Sequence, residues 1–397
     1  MQKRLYINGK TKEYETELIP VDKLYLNDLN GRIATYTEEY NAKPGNEKLD
    51  SLLKKDKNKY NDLITEFVKK SSNDDEKSYH DTKNDILEKG QLNPGVVLSD
   101  GRIIDGNRRF TAIRELYKET GDPKFQYFEA VRLPAGISEK DIKTLELWLQ
   151  FNEDKKREYN KIDFLVSLYK DVINEETKLF DEKQYIRASG IKISDYNTYI
   201  SIIETMLDYL EWRNKPKAFY ILKNEKLDGP LEEAARARKK MSEEEWNSKK
   251  DTLYTFMTLV KGDRTREIRP LVDSAKEDGP LFVELKKSID EPKAAMQLAT
   301  AIAEKDNKPQ NANQSKEISK CLNSAEELLE NSFKNAKFKS DIIDANNEPL
   351  KLLDDTISLL NKIDTNLVNK LSLDQKNKIT ERIKSIEASL NNIKKIL

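Results

Sequence analysis

The stretch Gly101-Arg102-Ile103-Ile104-Asp105-Gly106-Asn107-Arg108-Arg109-Phe110-Thr111-Ala112 decides how this chain is read. Ile103-Ile104 is a short apolar pair that ends at Asp105. Gly106 permits a tight turn, and a helical segment follows, clearest over residues 110–117. A helix N-terminus presents backbone amides without helical partners, and two arginines in its first turn make it an anion site. Adjacent arginines point in different directions on a helix, so one can face a phosphate while the other pairs with an acid such as Asp105. Ordinary surface charge is the alternative for both.

Working outward, Val96-Val97-Leu98 is an apolar run and Ser99-Asp100-Gly101 a turn, while residues 127–133 read as a further strand. The order strand, turn, strand, glycine turn, helix, strand is that of a small α/β unit. Residues 1–25 predict a hairpin about Asn8-Gly9. Residues 52–90 are helical in pattern, broken by the polar stretch 71–77, with Gly90 as the C-cap. From Asp141 the pattern is helical almost to the end. Asp228-Gly229-Pro230-Leu231 and Asp278-Gly279-Pro280-Leu281 read as two helix starts. The fold class expected is therefore an α+β N-terminal domain, a mostly α-helical central domain and a C-terminal helical hairpin.

Composition narrows the chemistry. The 397 residues suit two or three domains. Lys+Arg is 70 against Asp+Glu 71, a net charge of −1, which excludes a polycation that coats nucleic acid but leaves room for a local basic face. His80 and Cys321 are the one histidine and the one cysteine. Intrachain disulfides are thus excluded, and His-based triads and His/Cys zinc sites nearly so; any chemistry falls to carboxylates, Arg, Lys, Asn, Gln and backbone amides. The first residues lack the apolar stretch of a signal peptide, and no run approaches the length of a membrane span. A cytoplasmic chain that does not enter membranes is expected.

The central stretch resembles the signature of the ParB/sulfiredoxin-like superfamily, in which an Asp-Gly turn, a short strand and a "DG-x-R-R" segment lead into a helix. Asp100-Gly101, Ile103-Ile104 and Asp105-Gly106-Asn107-Arg108-Arg109 match in order. Gly90-Gln91-Leu92-Asn93-Pro94-Gly95-Val96-Val97 is similar to the family's strand entry. Residues 19–24 and Asn27-Asp28-Leu29-Asn30-Gly31-Arg32 are similar to its opening strand and first nucleotide-contacting loop. Glu146 and Leu149-Gln150 are similar to its second phosphate motif, "E-N-L-Q-R", although Glu146 stands one residue early and Phe151 replaces the arginine. The resemblance spans roughly residues 15–165.

It implies a nucleotide site. Asn30, Arg32, Asp105, Gly106, Asn107, Arg108 and Arg109 would bind a nucleoside triphosphate, CTP or ATP. Mg²⁺ would bridge the phosphates near Glu146 and Asn152. Glu146, Gln150 or Glu153 would serve slow hydrolysis, with exposed helix charge as the alternative for both glutamates. Lys155-Lys156-Arg157 suits phosphate contact or a solvated helix face. Asn107 stands where sulfiredoxin carries its catalytic cysteine, so that activity is not expected.

A second signal lies at residues 182–204, where one helix ends at Gly190 and another is capped by Ser194. Tyr185, Ile191, Tyr196 and Tyr199 fall where a helix-turn-helix places its core. Arg187, Lys192, Asn197, Thr198 and Ser201 are the candidate DNA contacts, although the second helix carries no Lys or Arg up to Glu204. Finally, Ile379, Ile383, Ile386, Leu390, Ile393 and Leu397 alternate steps of four and three, an a/d seam. Leu353, Ile357, Leu360, Leu367 and Leu371 fit the same spacing, except that Asp364 occupies one expected apolar position, and residues 372–375 read as a capping box. Burial within one chain, or pairing with another copy as a homodimer or with a partner protein, satisfies this pattern. The domains expected are 1–165 for nucleotide, 166–303 helical, 304–315 linker and 316–397 C-terminal coiled helices. The leading expectation is a ParB-like, nucleotide-gated, DNA-associated switch. The rivals are an enzyme on the same fold (a phosphotransferase or nuclease in a mobile-element or phage-defence setting) and an adaptor with a degenerate pocket.

Overall fold

The computed structural model describes residues 2–7, 9–71, 76–152, 160–304 and 312–397. Strands β1 (Gln2–Ile7) and β2 (Lys10–Glu15) form the antiparallel hairpin, with Ile7 opposite Lys10. Strand β3 (Glu17–Pro20) then leaves it for a second sheet. Helices α1 (Ala34–Ala42), α2 (Leu49–Lys55), α3 (Lys57–Lys70) and α4 (Glu76–Lys89) follow. Next come β4 (Gly95–Val97), β5 (Ile103–Asp105), α5 (Asn107–Thr120), β6 (Tyr127–Arg132) and α6 (Glu139–Asn152). The second sheet has the order β3-β6-β4-β5, with β4 and β6 parallel and the other pairs antiparallel.

Side chains alternate across a strand, and this sheet is covered on both faces. Val97, Ile103, Phe128 and Ala130 point to one layer, packing with Phe110, Ile113 and Leu116 of α5 and Ile64 of α3. Val96, Ile104 and Val131 point to the other, against Leu5 and Ile7 of the hairpin and Leu145 and Leu149 of α6. The apolar runs at 96–98 and 103–104 are thus continuous because both of their faces are buried.

The rest is helical: α7 (Lys161–Leu168), α8 (Glu182–Ser189), α9 (Ile193–Trp212), α10 (Phe219–Asn224), α11 (Asp228–Arg238), α12 (Glu243–Leu259), α13 (Arg264–Lys276), α14 (Pro280–Lys286) and α15 (Asp290–Glu304). Then come α16 (Ala312–Asn361), α17 (Thr365–Asn369) and α18 (Leu373–Lys394). Asp228-Gly229-Pro230 and Gly279-Pro280 open α11 and α14, as the sequence predicts. One core unites α7 to α16. It takes Ile162 and Leu165 from α7 and also Ala325, Leu329 and Ala336 from α16, so it draws on residues beyond the expected edges at 165 and 315. Residues 305–311 of the expected linker lie outside the described residues.

The C-terminal seam behaves differently. Ser372 and Gln375 form the capping box that opens α18. Yet Ile357 is 55% exposed, Ile383 49% and Ile393 43%, so the chain does not bury its own seam. No helix among the described residues is long and apolar enough to cross a membrane.

Candidate functional site

Helix α5 begins at Asn107, directly after Gly106, whose φ of 93° lies in the left-handed region. A Cβ there would also stand 3.0 Å from the Phe128 ring, so glycine is required by both conformation and space. No side chain caps this end of α5. A helix of 14 residues thus begins here without a side-chain cap from its N-cap residue, at the end where backbone amides point outward.

Asn107 itself is buried and fully used. Its side-chain oxygen accepts from the Asn27 backbone amide at 3.2 Å, and its Nδ2 donates to the Ile103 carbonyl at 3.2 Å. The Asn27 side chain, also buried, donates to Glu146 Oε1 at 2.9 Å. Three segments far apart in sequence, the Asn27 loop, the Gly106 turn and α6, therefore meet through one asparagine. Asn27 opens the loop that resembles the family's first nucleotide-contacting loop, yet it is not among the residues expected to bind, because its linking role exists only once the segments meet.

The two arginines divide the work. Arg109 Nη2 lies 3.1 Å from Asp105, and Lys3 reaches the same carboxylate oxygen at 2.8 Å. Burial opposes ionisation of Asp105, but the Arg109 guanidinium and the Lys3 ammonium together hold it below the usual carboxylate range. Arg108 is half-buried one residue earlier. Asn30 accepts from the Arg32 amide at 3.1 Å and so caps the short turn Gly31–Ile33, which sets the course of the loop carrying Arg32. Arg102 is a residue the sequence did not single out. Its Nε is buried without a hydrogen-bond partner, and its charge lies near Tyr25, Asp28 and Glu146.

Glu146 sits at the junction of the two units. Lys143 lies 3.6 Å from it and 3.3 Å from Asp171, and donates to Ser167 at 3.2 Å. Burial pushes the Glu146 and Asp171 carboxyls up, with Lys143 opposing. The Lys143 ammonium is held protonated because the two carboxylates outweigh its own burial. Beside this triad, Asp163 accepts from Thr35 at 2.6 Å and pairs with Lys223, whose ammonium stands 3.9 Å over the Tyr36 ring. Glu38 pairs with Lys170 at 2.6 Å. The segment that follows the Asn30–Arg32 loop is therefore bound to the helical unit by a hydrogen bond from Thr35, a cation–π contact at Tyr36 and an ion pair at Glu38.

The Glu146 carboxylate accepts from Asn27 and faces the Lys143 ammonium, a charge that competes with a cation there. Among the described residues no three His, Cys, Asp or Glu side chains come together as ligands. Gln150 is half-buried one turn beyond Glu146. Glu153, Lys155, Lys156 and Arg157 lie outside the described residues, as do the side chains of Phe151 and Asn152.

In the second region, α8 is opened by an Asp181/Gln184 capping box and ends at Gly190, whose φ of 71° makes the turn into α9. Ser194 does not cap α9; the helix already starts at Ile193, with Lys192 as N-cap. Arg187, Lys192, Asn197 and Thr198 are exposed. Ser201 is only 7% exposed and lies on the inward side of α9, out of reach of a ligand on that face.

No protein-family model matches the sequence, and no curated protein matches it. Among solved structures, that of the C2221 form of a Pnob8-like ParB-N domain is similar over 66% of this chain and 98% of its own length, at 14% identity and a TM-score of 0.36.

Proposed function

We propose that this chain is a ParB-like, nucleotide-gated, DNA-associated protein. It would bind CTP or ATP, with Mg²⁺ carried on the phosphates, at the turn between β5 and α5. The observation that carries this reading is the pair of hydrogen bonds from Asn27, one to Asn107 and one to Glu146, because it joins the three segments that a nucleotide site of this kind needs. The uncapped amides of α5 and Arg108 would receive the phosphates, and Arg32 would close from the loop. Asn30, Asn107 and Glu146 would position that loop rather than touch the ligand. Loop movement would reach the helical unit through Glu146–Lys143–Asp171 and Thr35–Asp163–Lys223, so that nucleotide occupancy biases the helices that meet DNA. Slow hydrolysis would then act as a timer.

A second reading, the adaptor, draws on the commitment of Arg109 to Asp105 and Lys3, which withdraws one of the two arginines. It also draws on the exposed seam of α16 and α18. In both readings that seam would receive a second copy of the chain, since its apolar residues keep the a/d spacing of a helical pair.

Calorimetric titration with CTP, ATP, GTP and UTP, each with Mg²⁺ and with or without duplex DNA, tests the proposal. Selective CTP binding that DNA modulates is the expected result. ATP binding without a DNA effect would point to the enzyme on the same fold. No binding to any of the four would leave the adaptor.

A further inference from the structure

Helix α9 offers polar groups but carries no Lys or Arg between Ile193 and Trp212; the one cation at its start is Lys192, its exposed N-cap. Asn197 and Thr198 are exposed, and Asp195, two residues before Asn197, lies on the far side of the helix from it. A helix that reads base edges still needs phosphate contacts to seat it, and those supply most of the affinity. The tertiary structure brings them from elsewhere. Helix α11 packs along α9, and Lys239, at the end of α11, donates its ammonium to the Asn197 carbonyl at 3.1 Å. Lys240 follows and is exposed, and Arg236, one turn earlier on the same flank, is exposed as well and pairs with Glu233. On the same flank Glu232 is paired with Lys161, and Glu243, at the start of α12, is paired with Arg238.

We infer that Lys239 and Lys240, just past the end of α11, are the phosphate-contacting cations of a duplex-DNA face whose base-facing groups are Asn197 and Thr198. This rests on the DNA association proposed above and names the surface that performs it. Duplex DNA fits better than an acidic protein segment because the cations flank a pair of side chains suited to base edges: Asn bonds adenine in bidentate fashion, and the Thr198 hydroxyl, which donates to the Ser194 carbonyl at 3.0 Å, keeps its oxygen to accept from a base amino group.

The test uses the full chain and a fluorescein-labelled mixed-sequence duplex, with anisotropy followed over a series of salt concentrations. Lys239→Gln combined with Lys240→Gln is expected to weaken binding and to lower the slope of log affinity against log salt by about 2. Lys54→Gln with Lys55→Gln, a pair of exposed cations on α2, is the control and should leave the slope unchanged. Asn197→Ala with Thr198→Ala should keep the slope on this duplex, because base contacts release few counterions. Unchanged melting midpoints will show that each variant is folded. If the parent binds and the α11 variant keeps the parent slope, the inference is overturned while DNA association stands. If the parent binds no duplex with or without nucleotide, or prefers single strands, the DNA reading falls and this surface with it.

Discussion

The α/β unit and the C-terminal helices use apolar residues in opposite ways. In the first, Ile103, Phe110 and Phe128 are fully buried, and two layers close over a four-stranded sheet. In the second, Ile357 is 55% exposed and Ile383 49%, although both stand at a/d positions of the seam. Periodicity states which residues share a face. It does not state what covers that face. A sheet with short connections finds its cover nearby in sequence, whereas a long helix followed by a short turn has only its own exposed neighbours.

The largest expected effect breaks the first region. Phe110→Ala removes the edge-on contact with Phe128, now 5.6 Å between ring centres, and should destabilise by about 3–5 kcal/mol in urea unfolding. Ile383→Ala at the same high dilution should change stability by less than about 0.5 kcal/mol. Equal losses at the two positions would mean that the C-terminal seam is covered within one chain.

Lys143→Met comes next, because it leaves Glu146 and Asp171 as buried carboxylates without their shared cation. A loss of about 3–5 kcal/mol is expected, with Glu146→Gln much milder since the amide still accepts from Asn27. If Lys143→Met is neutral, the triad is solvated and the junction between the two units is looser than the structure draws it.

Arg108→Ala should weaken triphosphate binding at least tenfold, about 1.4 kcal/mol, with little change in melting. Arg109→Ala should act chiefly on stability, by about 1 kcal/mol, because its partner is Asp105. Calorimetry alongside thermal melts separates the two, and the reverse outcome would exchange their roles. The smallest effect on the folded monomer belongs to Ile383→Asp with Leu390→Asp. Sedimentation should show association lost and the melting point at high dilution kept. A parent chain that is monomeric at every concentration would remove the second copy from the proposal.

Much of the fold was legible in advance. The hairpin about residues 8–9, the strand–turn–strand–helix order around Gly106, both Asp-Gly-Pro helix starts and the capping box at 372 depend on local rules: turn conformations, proline geometry and reciprocal capping bonds. That one of the two arginines could pair with Asp105 was legible from their closeness in sequence, but which one was decided by the turn at Gly106, which brings Arg109 to it. Ser194 was misjudged as a cap because a neighbouring residue began the helix first. Ser201 was misjudged because a polar residue on a largely apolar helix looks solvent-facing until the packing of that helix is known.

What this sequence determined by itself was the set of elements and the turn that leaves the amides of α5 open, both products of interactions within a few residues. Tertiary structure decided which residues meet across the chain: Asn27 with Asn107 and Glu146, Lys143 with Asp171, and Lys239 with Asn197. Those contacts join positions tens of residues apart, where no periodicity links partners. They form only when the packing of whole layers sets the distances and excludes the water that would otherwise satisfy each group.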